Sequence, residues 1–491
     1  MGTYVEEIIN NVLEVLSYIP GSTFIGSYIR KSHQNDPART VFEILLLLFG
    51  LRYFFASKQS QDSKYNMRLS RKEVDELCKE WVPEPLVDTV PDTSLEREIP
   101  IVEGPNSAMV RISGCKEPLI NLASYDVYGW AENPEVKRTA VSTIRKYGVG
   151  PCGPPGFYGN QASHIEAEHV VARFLGAEST ILYAQGLATA TSVIPCFAKR
   201  SDILVVDSRV NMSLQKGVQL SRAKVLWFKH NDMTDLEEKL KEAVRAKPRG
   251  SLPRRIIITE GLFEYAGDSP DLSKIIELKK KYKFRLLLDE TWSLGALGAT
   301  GRGICEEYNV PRSDIDITVG SLASMMGSSG GFCAGGQHIV EHQRIVSLAY
   351  TFSASCPAYL VEDLITECSI MSDFNWVENS YKPLLAKSAA LWDVLKTSSR
   401  LELISRKGVP MIVFKLSNDS LTLDQQSELI GKIVMSARDN GLLIARLRQI
   451  AKYEVYPYVH AIRLFVPNGI SQQKLEAAGQ TLLSLIDRIV A

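Results

Sequence analysis

From residue 101 onward, short β-branched runs alternate with segments of helical spacing. ILVVDS (203–208), RIIITE (255–260), RLLLDE (285–290) and DITVGS (316–321) are apolar runs of strand length, the pattern of strands buried on both faces of a parallel sheet. Between them, 234–244 and 271–282 repeat apolar residues every three or four positions and predict the crossover helices such a sheet requires. After Pro357 a long helical stretch leads to PMIVFKL (410–416), LLIARL (442–447) and AIRLFVP (461–467). The pattern predicts an α/β protein with a large, mainly parallel-sheet domain over 101–357 and a smaller C-terminal α+β domain over 358–491.

The first hundred residues break this pattern. Val5, Ile8, Ile9, Val12, Leu13, Leu16 and Ile19 recur at helical spacing up to Pro20 and predict a helix with one apolar face, suited to a membrane interface. TVFEILLLLFGLRYFFA (40–56) is the most apolar stretch, short of the roughly 20 residues that cross a bilayer. Glu43 and Arg52 sit near its ends, where long side chains reach the headgroups. Residues 1–57 read as an amphipathic helix and membrane anchor, with a buried core helix as the other reading of 40–56. The acidic start, MGTYVEEIINN, is not that of a cleavable secretory signal, and Glu6 breaks the myristoylation pattern. Residues 58–100 are polar, with prolines at 83, 85, 91 and 100, and read as a linker.

Composition narrows the function classes. The chain has 491 residues, of which 45% are apolar and 23% charged, which excludes a disordered or fibrous protein. Its 56 basic residues balance 56 acidic ones, so net charge gives no reason to bind nucleic acid. Eight cysteines contain no C-x-x-C pair, and the closest histidine pairs, His164 with His169 and His338 with His342, lack ligand companions. No disulfide framework and no metal site are expected, and the thiols read as reduced and cytosol-facing.

Four segments carry chemistry. In LLLDETWSLGALGATGRG (286–303) a buried strand delivers Asp289 to its carboxyl end, where open α/β sheets bind ligands. A carboxylate there either pairs with a charged heterocycle or caps the next helix. The pattern Asp-Glu-x-x-Ser-x-Gly-x-x-Gly-x-x-Gly-Arg-Gly resembles the α-oxoamine synthase family of fold type I pyridoxal-phosphate (PLP) enzymes. That resemblance gives Asp289 the role of pairing with the pyridinium nitrogen, and Trp292 stands where the family usually has a histidine.

The second segment, DITVGSLASMMGSSGGFCAGG (316–336), resembles the family loop that presents the imine-forming lysine. Aligning Gly320, Ser321 and Gly327 puts Ser324 at the lysine, and no lysine occurs between Lys283 and Lys382. A serine hydroxyl forms no imine with an aldehyde, so no catalytic residue is expected in this chain. VVDSRVNMSLQKG (205–217) resembles the segment of the ring-stacking histidine, with Asn211 in its place. YAQGLATAT (183–191) keeps Gly186 of the phosphate cradle but has Thr189 and Ala190 for the usual Ala-Asn. Asp289, Trp292, Asn211, Gly186 and Ser321 thus read as a vestigial cofactor site. Lys216, nearby, reads as a helix-surface lysine.

The fourth segment, KYGVGPCGPPGFYGN (146–160), packs five glycines and three prolines into fifteen residues and predicts a fixed irregular loop around Cys152. With His164 and Glu168 after it, the loop narrows the resemblance to the long-chain-base subunit 1 family of serine palmitoyltransferases, the fungal form in particular. EWVPEPL (80–86), FKHNDM (228–233), TEGLFEYAGD (259–268), KYKFRLLLDETWS (281–293) and YTFSAS (350–355) agree with it. The similarity therefore runs from about residue 65 to the C-terminus.

The resemblance implies a non-catalytic, lysine-less subunit that pairs with a lysine-bearing second long-chain-base subunit. Together they condense L-serine with palmitoyl-CoA to 3-ketodihydrosphingosine, the first step of sphingolipid synthesis. PLP is then bound covalently by the partner and not by this chain. By family position, Cys152, Tyr158, Ser353 and Ser355 contribute to the partner's active site. A small activating subunit and an Orm-type regulator complete the implied complex, placed in the endoplasmic reticulum membrane with its body facing the cytosol. Two other readings stand beside it: an autonomous PLP enzyme using an unrecognised lysine, and a membrane scaffold without a part in catalysis.

Overall fold

The computed structural model describes residues 37–55, 69–86 and 99–490 except 246–251, 419, 448–453 and 455–459, with Phe24, Ser27, Tyr28 and Lys31 as isolated positions. Two units divide it, Met1–Pro91 and Asp92–Ala491. In the second, a sheet is built from β1 (Ser179–Tyr183), β2 (Ile203–Asp207), β3 (Lys224–Phe228), β4 (Arg255–Glu260), β5 (Arg285–Asp289), β6 (Ile317–Ser321) and β7 (Gly331–Gly335). Its order is β1-β7-β6-β5-β4-β2-β3. β3, β2, β4, β5 and β6 pair in parallel, and β7 runs antiparallel to both of its neighbours. The four runs read as parallel strands all lie in this sheet.

Alternate side chains of these strands feed two separate cores, which is why the runs carry no polar face. Val205, Ile257, Leu286 and Leu288 pack with Leu272 and Ile275 on one side. Leu204, Val206, Ile256, Ile258 and Leu287 pack with Val193, Ile194 and Leu214 on the other. Each fully buried side chain of this size contributes about 1.5–3 kcal/mol. The parallel register brings Asp207 beside Phe228, and Glu260 beside Asp289, at one edge of the sheet. Helix α1 (Ala162–Leu175) precedes β1, and α2 (Gly186–Phe197) and α3 (Met212–Ser221) start at that carboxyl edge.

A second sheet joins β8 (Leu401–Leu403), β9 (Met411–Leu416), β10 (Ala445–Arg446) and β11 (Ile462–Phe465) in the order β8-β9-β11-β10, all antiparallel. A third, small sheet pairs Leu119–Asn121 with Leu442–Leu443 in parallel, so a segment near residue 120 shares hydrogen bonds with the C-terminal part of the chain.

In the first unit, Pro37–Phe55 is a helix of 19 residues that covers the apolar stretch, with Leu45, Leu46, Leu47, Leu48 and Phe49 exposed. Among the described residues no helix is long and apolar enough to cross a membrane. The expected helix is there; a spanning one is not, and Glu43 and Arg52 are part of the reason. Within the predicted linker lies a helix, Arg71–Glu80. Its start is a capping box in which the Ser70 hydroxyl accepts from the Glu73 amide and the Glu73 carboxylate from the Ser70 amide, a reciprocal arrangement that satisfies two end donors. The amphipathic helix read over 5–19 lies outside the described residues.

Candidate active site

At the carboxyl edge of the large sheet opens a cavity of about 570 Å³. Asp289, Asn211, Trp292, Gly186, Ser321 and Ser324 all line it, so the sequence motifs of the vestigial site converge although they span more than a hundred residues. Gly186, in the first turn of α2, is fixed by space: a Cβ there would sit 2.4 Å from the Ser321 hydroxyl oxygen. The Ser321 amide donates to Thr291 Oγ1 at 2.9 Å, which ties the end of β6 to the loop after β5.

β5 delivers Asp289 buried, and both its carboxylate oxygens are already engaged. Oδ2 accepts from Asn211 Nδ2 at 2.9 Å, and Oδ1 accepts from the Thr291 amide at 2.8 Å. Asn211 caps α3, its Oδ1 accepting from the Leu214 amide at 3.1 Å, while its own amide donates to Glu260 Oε1. One asparagine thus joins a helix cap to two strand-end acids. Burial raises the Asp289 pKa above the ordinary aspartate value. Burial, with Asp289 as a second cause, holds Glu260 well above the carboxylate range, because two adjacent carboxyls out of water resist sharing two negative charges. Sequence reasoning missed Glu260; the signal was that RIIITE and RLLLDE both end on acids.

Ser324, which the sequence resemblance aligns with the family lysine, is buried, and its hydroxyl donates to the Thr291 carbonyl at 2.6 Å. Among the described residues no lysine lines the cavity; Lys216 lies on α3 and donates to Gln219 at 3.0 Å. Trp292 is buried in an aromatic wall, stacked on Phe465 with centroids 5.4 Å apart and meeting Tyr125 edge-on at 5.0 Å. The Arg463 guanidinium lies 5.3 Å from the Trp292 ring centre, within reach of a cation–π attraction. It is held by Glu264 at 3.1 Å and donates to the Tyr125 hydroxyl at 3.0 Å. Trp292 fills space that a histidine would leave open.

Cys152, Tyr158, Ser353 and Ser355 do not line this cavity. They sit on two loops that the fold ties together. The Ser355 amide donates to the Gly153 carbonyl at 2.9 Å, Asn160 Nδ2 donates to the Tyr350 hydroxyl at 3.3 Å, and His164 Nε2 lies 2.7 Å from the Cys356 carbonyl oxygen. Glu168 pairs with Arg344 at 2.7 Å beneath them. Ser355 is buried and Ser353 half-buried, whereas Cys152 is exposed and held at a left-handed φ of 54°. Tyr158 is 93% exposed, with Phe157 and Phe352 also outward.

Among the described residues the lining offers no amine to hold a PLP as an imine, while the Asp289 carboxylate, with one hydrogen bond on each oxygen from Asn211 and Thr291, retains acceptor capacity for a pyridinium N–H.

Comparison with known proteins places the fold and the family. Residues 117–448 match the profile of class I and II aminotransferases. Serine palmitoyltransferase 1 of Saccharomyces cerevisiae is 43% identical over 376 residues, 74% of this chain and 67% of that protein. Long chain base biosynthesis protein 1 of Arabidopsis thaliana is 34% identical over 424 residues, 86% of each. Among solved structures, the serine palmitoyltransferase of Sphingomonas wittichii superposes with a TM-score of 0.72 at 22% identity, covering 83% of this chain and 99% of that one; this last likeness is one of fold. Profile, identity and coverage agree that the chain belongs to the class I and II aminotransferase family and, within it, to the family of serine palmitoyltransferase 1 and long chain base biosynthesis protein 1.

Proposed function

We propose that the chain is the lysine-less subunit of a serine palmitoyltransferase and completes the active site of a lysine-bearing second subunit. The observation that carries this reading is Ser324, its hydroxyl committed to a backbone carbonyl, in a cavity that no lysine lines among the described residues. Pyridoxal phosphate on the partner's lysine supplies the carbanion-stabilising chemistry that joins serine to palmitoyl-CoA. This chain contributes shape. Tyr158 and Cys152 border the partner's site from the glycine-rich loop and Ser353 from the facing loop. Ser355, whose amide holds the Gly153 carbonyl, fixes the two loops to each other. The exposed apolar residues Phe157, Tyr158 and Phe352 are what such a subunit contact would bury. A small activating subunit and an Orm-type regulator join the complex, and the N-terminal helices hold it at the endoplasmic reticulum membrane with its body toward the cytosol.

Asp289→Asn in the assembled complex separates this reading from an autonomous enzyme. The substitution keeps volume and, with the new carbonyl toward Asn211 Nδ2, that hydrogen bond, while its NH2 loses the bond from the Thr291 amide; the cost falls on local stability, and kcat/KM for serine and palmitoyl-CoA in the folded complex is expected to stay near wild type. Were this cavity to host the chemistry, losing the buried carboxylate would cost about 10²-fold, and that result would rule the proposal out.

A further inference from the structure

At the opposite edge of the large sheet, where its parallel strands begin, lies a groove of about 1170 Å³. It is roughly twice the size of the cavity at the carboxyl edge, and neither the transferase chemistry nor the loop pair uses it. Its rim carries Arg254, Arg255, Lys283 and Arg285, at or just before the first residues of β4 and β5. Its walls are apolar, with Phe197, Ile256 and Ile339 among them.

Of the four rim cations only Arg285 is neutralised from within, among the described residues. Of the two wall carboxylates, Asp316 is taken by Lys279 at 2.5 Å and Arg285 at 2.6 Å. Among the described residues Glu178, the other, forms no ion pair with the rim cations, although it lines the groove. Among the described residues the side chains of Arg254, Arg255 and Lys283 form no ion pair within 4.0 Å, and the nearby Asp202 carboxylate accepts instead from the Arg254 backbone amide at 2.7 Å. Arg254 donates to the Phe197 carbonyl at 3.0 Å, which orients its guanidinium on the wall. Arg255 Nε is buried without a hydrogen-bond partner among the described residues, a donor that an incoming acceptor would satisfy. The helix Gln337–Val346 starts on the same wall, where Gly336 provides no side-chain cap and His338 lines the groove. Uncapped amides at a helix start add partial positive charge.

Arginine forks match phosphate oxygens in pairs, and clustered cations over low-dielectric walls focus their field into the space between. We propose that this groove binds a phosphorylated small molecule with a flat apolar body, of the nucleotide class, at a site separate from the transferase centre. The guanidiniums of Arg254 and Arg255 and the Lys283 ammonium take the phosphates, and the apolar wall takes the ring.

The test is a fluorescence titration of the complete complex with methylanthraniloyl-ADP, followed by competition with pyrophosphate and with phosphatidate-containing vesicles. Saturable binding is expected, weakening as salt rises and displaced by pyrophosphate. Arg254→Glu should weaken it at least about tenfold, the scale of losing one charge-assisted contact. Lys283→Asn guards against misfolding, because Lys283 is exposed at a φ of 58°, a left-handed conformation that asparagine tolerates; it should weaken binding in the same direction. Displacement by phosphatidate vesicles and not by pyrophosphate would overturn the nucleotide assignment in favour of a lipid headgroup. No saturable binding, or wild-type affinity in both variants, would overturn the site itself.

Discussion

Arg312→Ala is expected to destabilise the chain by about 3–5 kcal/mol, the usual consequence of stranding one member of a buried ion pair. Arg312 Nη1 lies 2.6 Å from Glu290 Oε1, and the two side chains are 8% and 0% exposed. Glu290 has no water to fall back on. It is boxed in by the Ser293 hydroxyl, by the Ile304 amide at 3.2 Å, and by Gly303, where a Cβ would come within 2.2 Å of Oε2. Arg312 also donates to the Leu175 and Arg302 carbonyls, each at 3.3 Å. Its loss therefore strands a charge and loosens the loop that follows β5. Against a typical total of about 5–15 kcal/mol, that is a large fraction. Denaturant unfolding of the purified complex reads the effect. Adding Glu290→Gln to Arg312→Ala removes the uncompensated charge and should recover part of the loss, whereas a double variant no more stable than the single one would show that the pair is not the cause.

Gly159→Ala is expected to reduce the turnover of the complex by about 10²-fold, the scale on which a shift of about 1 Å in a positioning element acts. A Cβ at Gly159 would stand 1.9 Å from the Gly153 carbonyl oxygen and 2.5 Å from the Ser355 hydroxyl. The first of these is backbone and is already held by the Ser355 amide at 2.9 Å, so the loop pair must open. If those loops shape the partner's site, kcat falls while the partner keeps its cofactor, which steady-state kinetics and absorbance read separately. Cys152→Trp complements it. The Cys152 side chain is exposed and reaches only the Gly150 carbonyl at 3.7 Å, so a bulky replacement changes the loop's surface without disturbing the fold beneath. Wild-type kinetics in both variants would remove the loops from the account of catalysis.

Much of this architecture was legible locally, and the exceptions share one physical origin. Strands such as 203–208 and 285–290 announce themselves because a doubly buried strand needs no polar face, and Ser324 because the glycine-rich segment around it, 316–336, is contiguous. Six residues singled out in the sequence, Gly186, Asn211, Asp289, Trp292, Ser321 and Ser324, line the cavity, but neither the rest of the lining nor its wiring was legible. That Asn211 satisfies Asp289, or that Arg463 braces Trp292, depends on contacts 78 and 171 residues apart in sequence, which no local pattern encodes. The same is true of the parallel pairing of Leu119–Asn121 with Leu442–Leu443. Glu290 was passed over for its neighbour Asp289, since alternation on a strand end does not say which acid faces a cavity and which an arginine. The helix Arg71–Glu80 was missed for a different reason: its Ser70-x-x-Glu73 signature was present, and the surrounding prolines outweighed it.

The most direct test of the central claim is chemical location of the cofactor. The complex, purified through a tag on this chain, is reduced with borohydride, and the phosphopyridoxyl-lysine peptide is identified by mass spectrometry. A chain with Ser324 at the lysine position predicts the label on a co-purifying subunit and none on any lysine of its own. A labelled lysine in this chain would contradict the account and name the residue that does the chemistry.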